Sequence, residues 1–221
     1  MPLPYGLILA GGHGRRMATS TAAPQPKPPM PKPPLPKPPL PKPLVPLAGR
    51  PLIAHVLARI APQVAGLAIN TNDPAELYAG FGLPLVPDTL AGRPGPLAGV
   101  LAGLEWLARQ SPETPLLTVA ADTPFLPADL VSRLIHRYTS GAGVVCAASA
   151  GQRHHVIALW PPGAREPLAE ALAAGQRKVG LLLETLGAVT QNWETADGDP
   201  FFNVNTPEDL TAAEFRLSAL Q

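Results

Sequence analysis

Short apolar stretches ending in small or polar residues alternate with segments of helical periodicity along almost the whole chain. No other property of the sequence restricts the fold as much. YGLILAGG, GLAINTN, LPLVPD, PLLTVAADTPFL, AGVVCAASA and HHVIALW read as strands. Between them GRPLIAHVLARIAPQV places Leu52, Ile53, Val56, Leu57 and Ile60 at helical spacing. GPLAGVLAGLEWLARQ, PADLVSRLIHRYTS, EPLAEALAAG and VGLLLETLG also read as helices. FFNVNTPEDLTAAEFRLSAL reads as a strand end, a turn and a helix opened by Thr206-Pro207. Such alternation calls for an α/β fold, a three-layer α/β/α domain with a mostly parallel sheet. Ligands of these sheets bind beyond the carboxyl ends of the strands. The sequence puts Gly11, Gly12, Asn70, Asp88, Asp122, Asn203 and Asn205 at those ends.

One segment breaks the alternation. From Pro26 the chain repeats Pro-Lys-Pro-Pro-Leu or Met, and much of its total of 31 prolines lies between Pro24 and Pro51. Proline removes the N–H that strands and helix interiors need, so the tract favours polyproline II, rising about 3.1 Å per residue. Loop-closure entropy grows only slowly with length, so a fold can tolerate the excursion. We expect a single domain over residues 1–221 with a Pro/Lys-rich inserted loop at about 18–41. A proline-motif ligand for a partner, or a structured lid over the strand-end site, is the alternative use of the tract.

Composition excludes several classes. A net charge of +1 gives no electrostatic case for nucleic acid. The single cysteine, Cys146, rules out an internal disulfide and a multi-cysteine metal site, and its apolar surroundings suit a buried thiol. No stretch reaches the roughly 18 to 20 apolar residues of a membrane span. MPLPYGLILAGG lacks the basic start of a signal peptide. A cytoplasmic location is expected.

LAGGHGRRM fits neither common nucleotide loop. Met17 stands where a dinucleotide fingerprint needs its third glycine, and Arg15-Arg16 stands where a P-loop needs Lys-Ser or Lys-Thr. What remains is a turn of small residues whose N–H groups can approach a phosphate, followed by two arginines able to grip it. A plain tight turn with a solvated arginine pair reads equally well. Asp122 closes LLTVAAD, and a carboxylate there is costly to leave unpaired. It suits Mg²⁺ held by one carboxylate plus substrate phosphates, or else a helix cap. Asp88 offers the same choice, or could accept hydrogen bonds from a base or ribose.

LILAGGHGRRM, KPLVPLAGRPLIAHVL, INTN, VPD, GPLAGVLAGL, AADTPFLP and FFNVNTPEDL occur in one order. In these motifs the chain resembles the molybdenum cofactor guanylyltransferases of the nucleotidyltransferase superfamily, from about Leu7 to Leu210 with the repeat left out. The resemblance implies a Rossmann-like nucleotidyltransferase sheet. It implies Mg²⁺-dependent transfer of GMP from GTP to the terminal phosphate of molybdopterin or the molybdenum cofactor, with release of pyrophosphate. It implies nucleotide contacts at Leu9, Ala10, Gly11, Gly12, Lys42, Asn70, Asp88 and Asp122, with Asp122 also the metal ligand. Catalytic charge would come from Asp122, Lys42 and Arg16, and the pterin-side residues would be Arg153, His154, Asn203 and Asn205. Lys42 opens the matching run KPLVPLAGRPLI, whereas Lys27, Lys32 and Lys37 sit in copies of it. The implied partners are GTP and molybdopterin or molybdenum cofactor, then proteins of the cofactor pathway or molybdoenzyme chaperones, for a monomer or weak oligomer. A cytidylyl or other nucleotidyltransferase, and a catalytically impaired relative presenting PKPP repeats, are the alternatives.

Overall fold

The computed structural model describes residues 2–11, 40–90, 95–139, 143–176 and 178–219. The elements are β1 (Tyr5–Leu9), β2 (Pro46–Leu47), β3 (Arg50–Pro51), α1 (Leu52–Ile60), β4 (Gly66–Asn70), β5 (Leu85–Val86), α2 (Pro96–Ala108) and β6 (Leu116–Ala120). They continue as α3 (Leu130–Thr139), β7 (Val145–Ser149), β8 (Gln152–Trp160), α4 (Arg165–Ala173), α5 (Val179–Thr185), β9 (Val189–Trp193) and α6 (Pro207–Ala219).

Seven strands form one sheet in the order β5-β4-β1-β6-β8-β7-β9. The pairs β5–β4, β4–β1, β1–β6 and β7–β9 are parallel, and β8 runs antiparallel to both β6 and β7. The sheet is therefore mostly parallel, as the sequence implies. Side chains alternate across it. Ile8, Ile69, Leu117, Val119, Val145 and Leu159 face α1 and α3. Leu7, Leu9, Ala68, Leu116, Cys146 and Ala158 face α2, α4 and α5. That is the expected three-layer α/β/α arrangement.

Two readings of the chain change. VTQNW forms β9, an edge strand that the apolar pattern does not announce, because Trp193 is the one buried residue in it. FFNVN forms no strand. Residues 199–206 cross the carboxyl edge of the sheet as an irregular strap, held by individual side-chain and backbone contacts rather than by a strand ladder. A third cluster, Leu47, Leu52, Phe125, Val204 and Ala213, packs α6 and the β2–β3 hairpin against that strap. Among the described residues, no helix is long and apolar enough to cross a membrane. Apart from Leu40 and Pro41, the Pro/Lys-rich tract expected as an inserted loop lies outside the described residues.

Candidate active site

β4, β1 and β6 are neighbours, with Leu9 registered against Asn70 on one side and Ala120 on the other. The polar residues that follow these strand ends therefore share one edge. Asn70 and Asp122 stand about two strand spacings apart, roughly 10 Å.

On the β4–β5 side Asn70 is 97% buried, and its amide donates to the Val86 carbonyl and to Asp88 Oδ1, both at 2.9 Å. Asn72 donates to Asp88 Oδ2 at 2.8 Å and accepts from the Asp88 backbone N–H at 2.9 Å. Both oxygens of Asp88 are thus engaged by neutral amides. The Asn70 seat depends on Gly99 of α2, since a Cβ there would come within 2.2 Å of Asn70 Oδ1. Gly11 lies on the other flank, where a Cβ would meet the same oxygen at 3.7 Å.

On the β6 side Lys42 forms an ion pair with Asp122 Oδ2 and donates to Asn205 Oδ1 at 2.7 Å. The side chains are 14% and 21% exposed, so the pair is largely shielded from water. The other Asp122 oxygen, Oδ1, is buried and has no hydrogen-bond partner among the described residues. Leaving such an atom unmatched is expensive. A hard cation or a donor on a ligand is the chemistry that would satisfy it.

Lys42 is delivered to Asp122 from its C-terminal side. Residues Lys42–Leu44 make a single 3₁₀ turn, and the Leu52 N–H donates to the Val45 carbonyl at 3.0 Å. The following hairpin turns through Ala48 and Gly49, both at positive φ. His55 Nε2 donates to the Leu47 carbonyl at 2.9 Å, tying the hairpin to α1. Asn205 is fixed from the other direction. The Asn205 and Thr206 N–H groups donate to Asp209 Oδ2 at 2.8 and 2.9 Å, and the Asp209 N–H donates to Thr206 Oγ1 at 3.1 Å. This is a capping box at the start of α6, so one helix N-terminus orients Asn205. The Val204 N–H donates to the Asp122 carbonyl at 2.9 Å, which seats the strap directly over the end of β6.

Asn203 accepts from the Thr123 hydroxyl at 2.8 Å instead of facing Lys42. At the β8–β7 side of the same edge His154 is half-buried against Phe201, with ring centroids 4.7 Å apart, and bonds Ser149 Oγ at 2.7 Å. Burial lowers the His154 pKa, Asp199 opposes that shift, and His155 reinforces it. Arg153 is exposed on β8. Leu9 and Ala10 are buried, the Ala10 N–H donating to the Asn70 carbonyl at 2.9 Å and the Leu9 carbonyl accepting from Ala121 at 3.1 Å. Gly12 and Arg16, expected at the nucleotide and among the catalytic charges, lie outside the described residues. Burial pushes the Cys146 thiol up to about 12, consistent with a core residue.

Gly99, Thr123, Ser149, Asp199 and Asp209 join the site without having been singled out in the sequence. Gly99, Thr123 and Asp209 lie inside the motifs GPLAGVLAGL, AADTPFLP and FFNVNTPEDL, and Asp209 also completes the Thr-x-x-Asp pattern opening a helix; Ser149 and Asp199 carried no local signal.

A sheet whose strand ends hold an amide-lined carboxylate on one side and a lysine–aspartate–asparagine cluster on the other has the layout of a nucleotidyltransferase. The MobA-like NTP transferase domain model matches residues 6–189. The chain is 42% identical over 219 residues to a molybdenum cofactor guanylyltransferase of Bradyrhizobium sp. (strain ORS 278), covering 98% of this chain and 93% of that one. It is 48% identical over 171 residues to the protein of the same name from Rhodopseudomonas palustris (strain BisB5), covering 76% of this chain and 81% of that one. Among solved structures, molybdopterin-guanine dinucleotide biosynthesis protein A from Archaeoglobus fulgidus shares the fold, with a TM-score of 0.72 at 24% identity, covering 97% of this chain and 99% of that one. The chain belongs to the MobA-like NTP transferase family.

Proposed function

We propose that the protein transfers GMP from GTP to the terminal phosphate of molybdopterin or its molybdenum form. The carrying observation is the Lys42–Asp122–Asn205 cluster at the carboxyl end of β6, with one buried Asp122 oxygen that has no partner among the described residues. The guanylyltransferase relatives that span nearly all of the chain support the choice of substrates.

In this reaction an oxygen of the phosphate monoester attacks the α-phosphorus of GTP. A new P–O bond forms, the bond to the β-phosphate oxygen breaks, and pyrophosphate departs with the electron pair. The monoester is already ionised near neutral pH, so no general base is required. The difficulty is electrostatic, because two anions must meet and charge must be held as the leaving group departs. Lys42 sits on that edge as a cation held by Asp122 and Asn205, within the cleft rather than on the surface. Asn70 and Asp88 provide amide and carboxylate groups for the nucleoside two strands away. Asp122 Oδ1 is the atom that would hold Mg²⁺. When bound, the ion would neutralise phosphate charge beside the reacting phosphorus.

Pyrophosphate release tests the reading, measured with molybdopterin, Mg²⁺ and each of the four ribonucleoside triphosphates. Release with GTP above the other three is expected. Turnover with CTP and none with GTP would overturn the guanylyl assignment.

A further inference from the structure

The strap at residues 199–206 carries Asn203 and Asn205, yet no strand ladder holds it. Its C-terminal end is fixed by the capping box of α6. Its N-terminal end is held by a second set of contacts that the proposed reaction does not use. Asp199 Oδ1 accepts from the Ser149 hydroxyl at 2.7 Å and from the Phe201 N–H at 2.9 Å. The Asp199 carbonyl accepts from Arg216 on α6 at 2.6 Å, and the same guanidinium reaches the carbonyls of Asp197 and Gly198 at 3.3 and 3.4 Å.

Ser149 is 99% buried at the end of β7. Its one proton goes to Asp199, so the bond to His154 must be donated by Nε2–H. Serine therefore receives a proton donor from histidine and spends its own on aspartate. That order is the reverse of an activated nucleophile, and a buried Oγ has no route to a substrate. The trio is not a hydrolytic site. Its connections run instead from β8 and β7, through Asp199, into the strap, and so to Asn205 on Lys42.

We infer that Asp199 is a positioning residue for the transfer proposed above. Held by Ser149 and Arg216, it sets the start of the strap so that Asn205 orients Lys42 against Asp122, linking the β7–β8 side of the edge to the phosphate side. The inference rests on that reading of the reaction. Among the described residues, the hydrogen bonds to the Asp199 side chain end on one oxygen, Oδ1, so an acceptor held at that position is what these bonds require.

The test uses Asp199→Ala, Asp199→Asn and Ser149→Ala in the full chain, each alone and Asp199→Ala also combined with Asn205→Ala. With GTP, molybdopterin and Mg²⁺, Asp199→Ala is expected to lower kcat about 10- to 100-fold, the scale of small misplacements in an active site. KM for GTP should stay within about threefold, because Asn70 and Asp88 are untouched. Asp199→Asn keeps an acceptor at Oδ1 and should restore kcat, and Ser149→Ala should fall between the two. In the Asn205→Ala background Asp199→Ala should cost little more, since both act through one contact. A kcat equal to wild type in Asp199→Ala, or full additivity with Asn205→Ala, would overturn the inference. If Asp199→Ala does not fold, Ser149→Ala and Asp199→Asn decide it by the same kcat comparison. Failure of the underlying reaction is separable. Wild type would then release no pyrophosphate, and the side-chain amide NMR signal of Asn205 becomes the readout. That signal should shift in Asp199→Ala and Ser149→Ala and return in Asp199→Asn, and an unmoved signal overturns the inference.

Discussion

Asp88 and Asp122 both follow strands of the same sheet edge, but their oxygens are treated differently. Asp88 has both oxygens occupied by the amides of Asn70 and Asn72. Asp122 gives one oxygen to Lys42, and the other is buried with no partner among the described residues. A carboxylate satisfied by neutral donors is a preformed fitting for a polar partner. A carboxylate with an unmatched buried oxygen is held for charge that has yet to arrive. The first should govern how tightly a nucleoside sits, and the second how fast the phosphorus reacts.

Asp122→Asn is the sharpest way to break that contrast. It preserves size, removes the charge, and leaves Lys42 without its ion-pair partner. We expect kcat for pyrophosphate release to fall about 10²- to 10³-fold, the usual cost of losing one charge-stabilising group. Isothermal titration should show weakened binding of the triphosphate with Mg²⁺. A variant within threefold of wild type would remove Asp122 from the chemistry. Lys42→Ala should cost less, about 10²-fold in kcat, since other cations can share the phosphate charge. Lys37→Ala should leave turnover unchanged. The reverse pattern would move the active lysine into the repeat.

Gly99→Ala probes the other carboxylate through its support. The added Cβ would press on Asn70 Oδ1 at 2.2 Å, and neither group can move without displacing the amide that holds Asp88. Overpacking of this kind costs about 1–3 kcal/mol. KM for GTP is expected to rise about tenfold with kcat little changed, and the urea midpoint should fall. A drop in kcat alone would mean that the two sides of the edge are not separable.

Much of this arrangement was legible in the chain. Asn70, Asp88 and Asp122 each end an apolar run, so the strand pattern itself places them on one edge. Lys42 was legible from the motif that follows it, and the hairpin tied to α1 by His55 supports it from that side. The strap was not legible, because FFNVN has the apolar character of a strand while its backbone bonds go to Asp122, Asp199 and Asp209. Ser149 was hidden in CAASA, where a serine among alanines gives no sign of the aspartate 50 residues later. The antiparallel course of β8 was hidden too, since periodicity reports which side chains are buried and not which way a strand runs.

The smallest expected effect concerns the closed side of the edge and is read in stability. Burial lowers the His154 pKa relative to its ordinary value, more than Asp199 raises it. The native state therefore favours the neutral ring, which is also sufficient to donate through Nε2–H to Ser149. Above about pH 6.5 the ring is neutral in both folded and unfolded chains, and no difference arises. As the pH falls through that value the unfolded chain takes up the proton first, so unfolding is favoured until the native pKa is passed. His154→Gln keeps an amide donor for Ser149 and removes the titration. Urea midpoints followed from about pH 7.5 to about pH 5 should decline less steeply in His154→Gln than in wild type. Equal slopes would place the acid sensitivity on other groups.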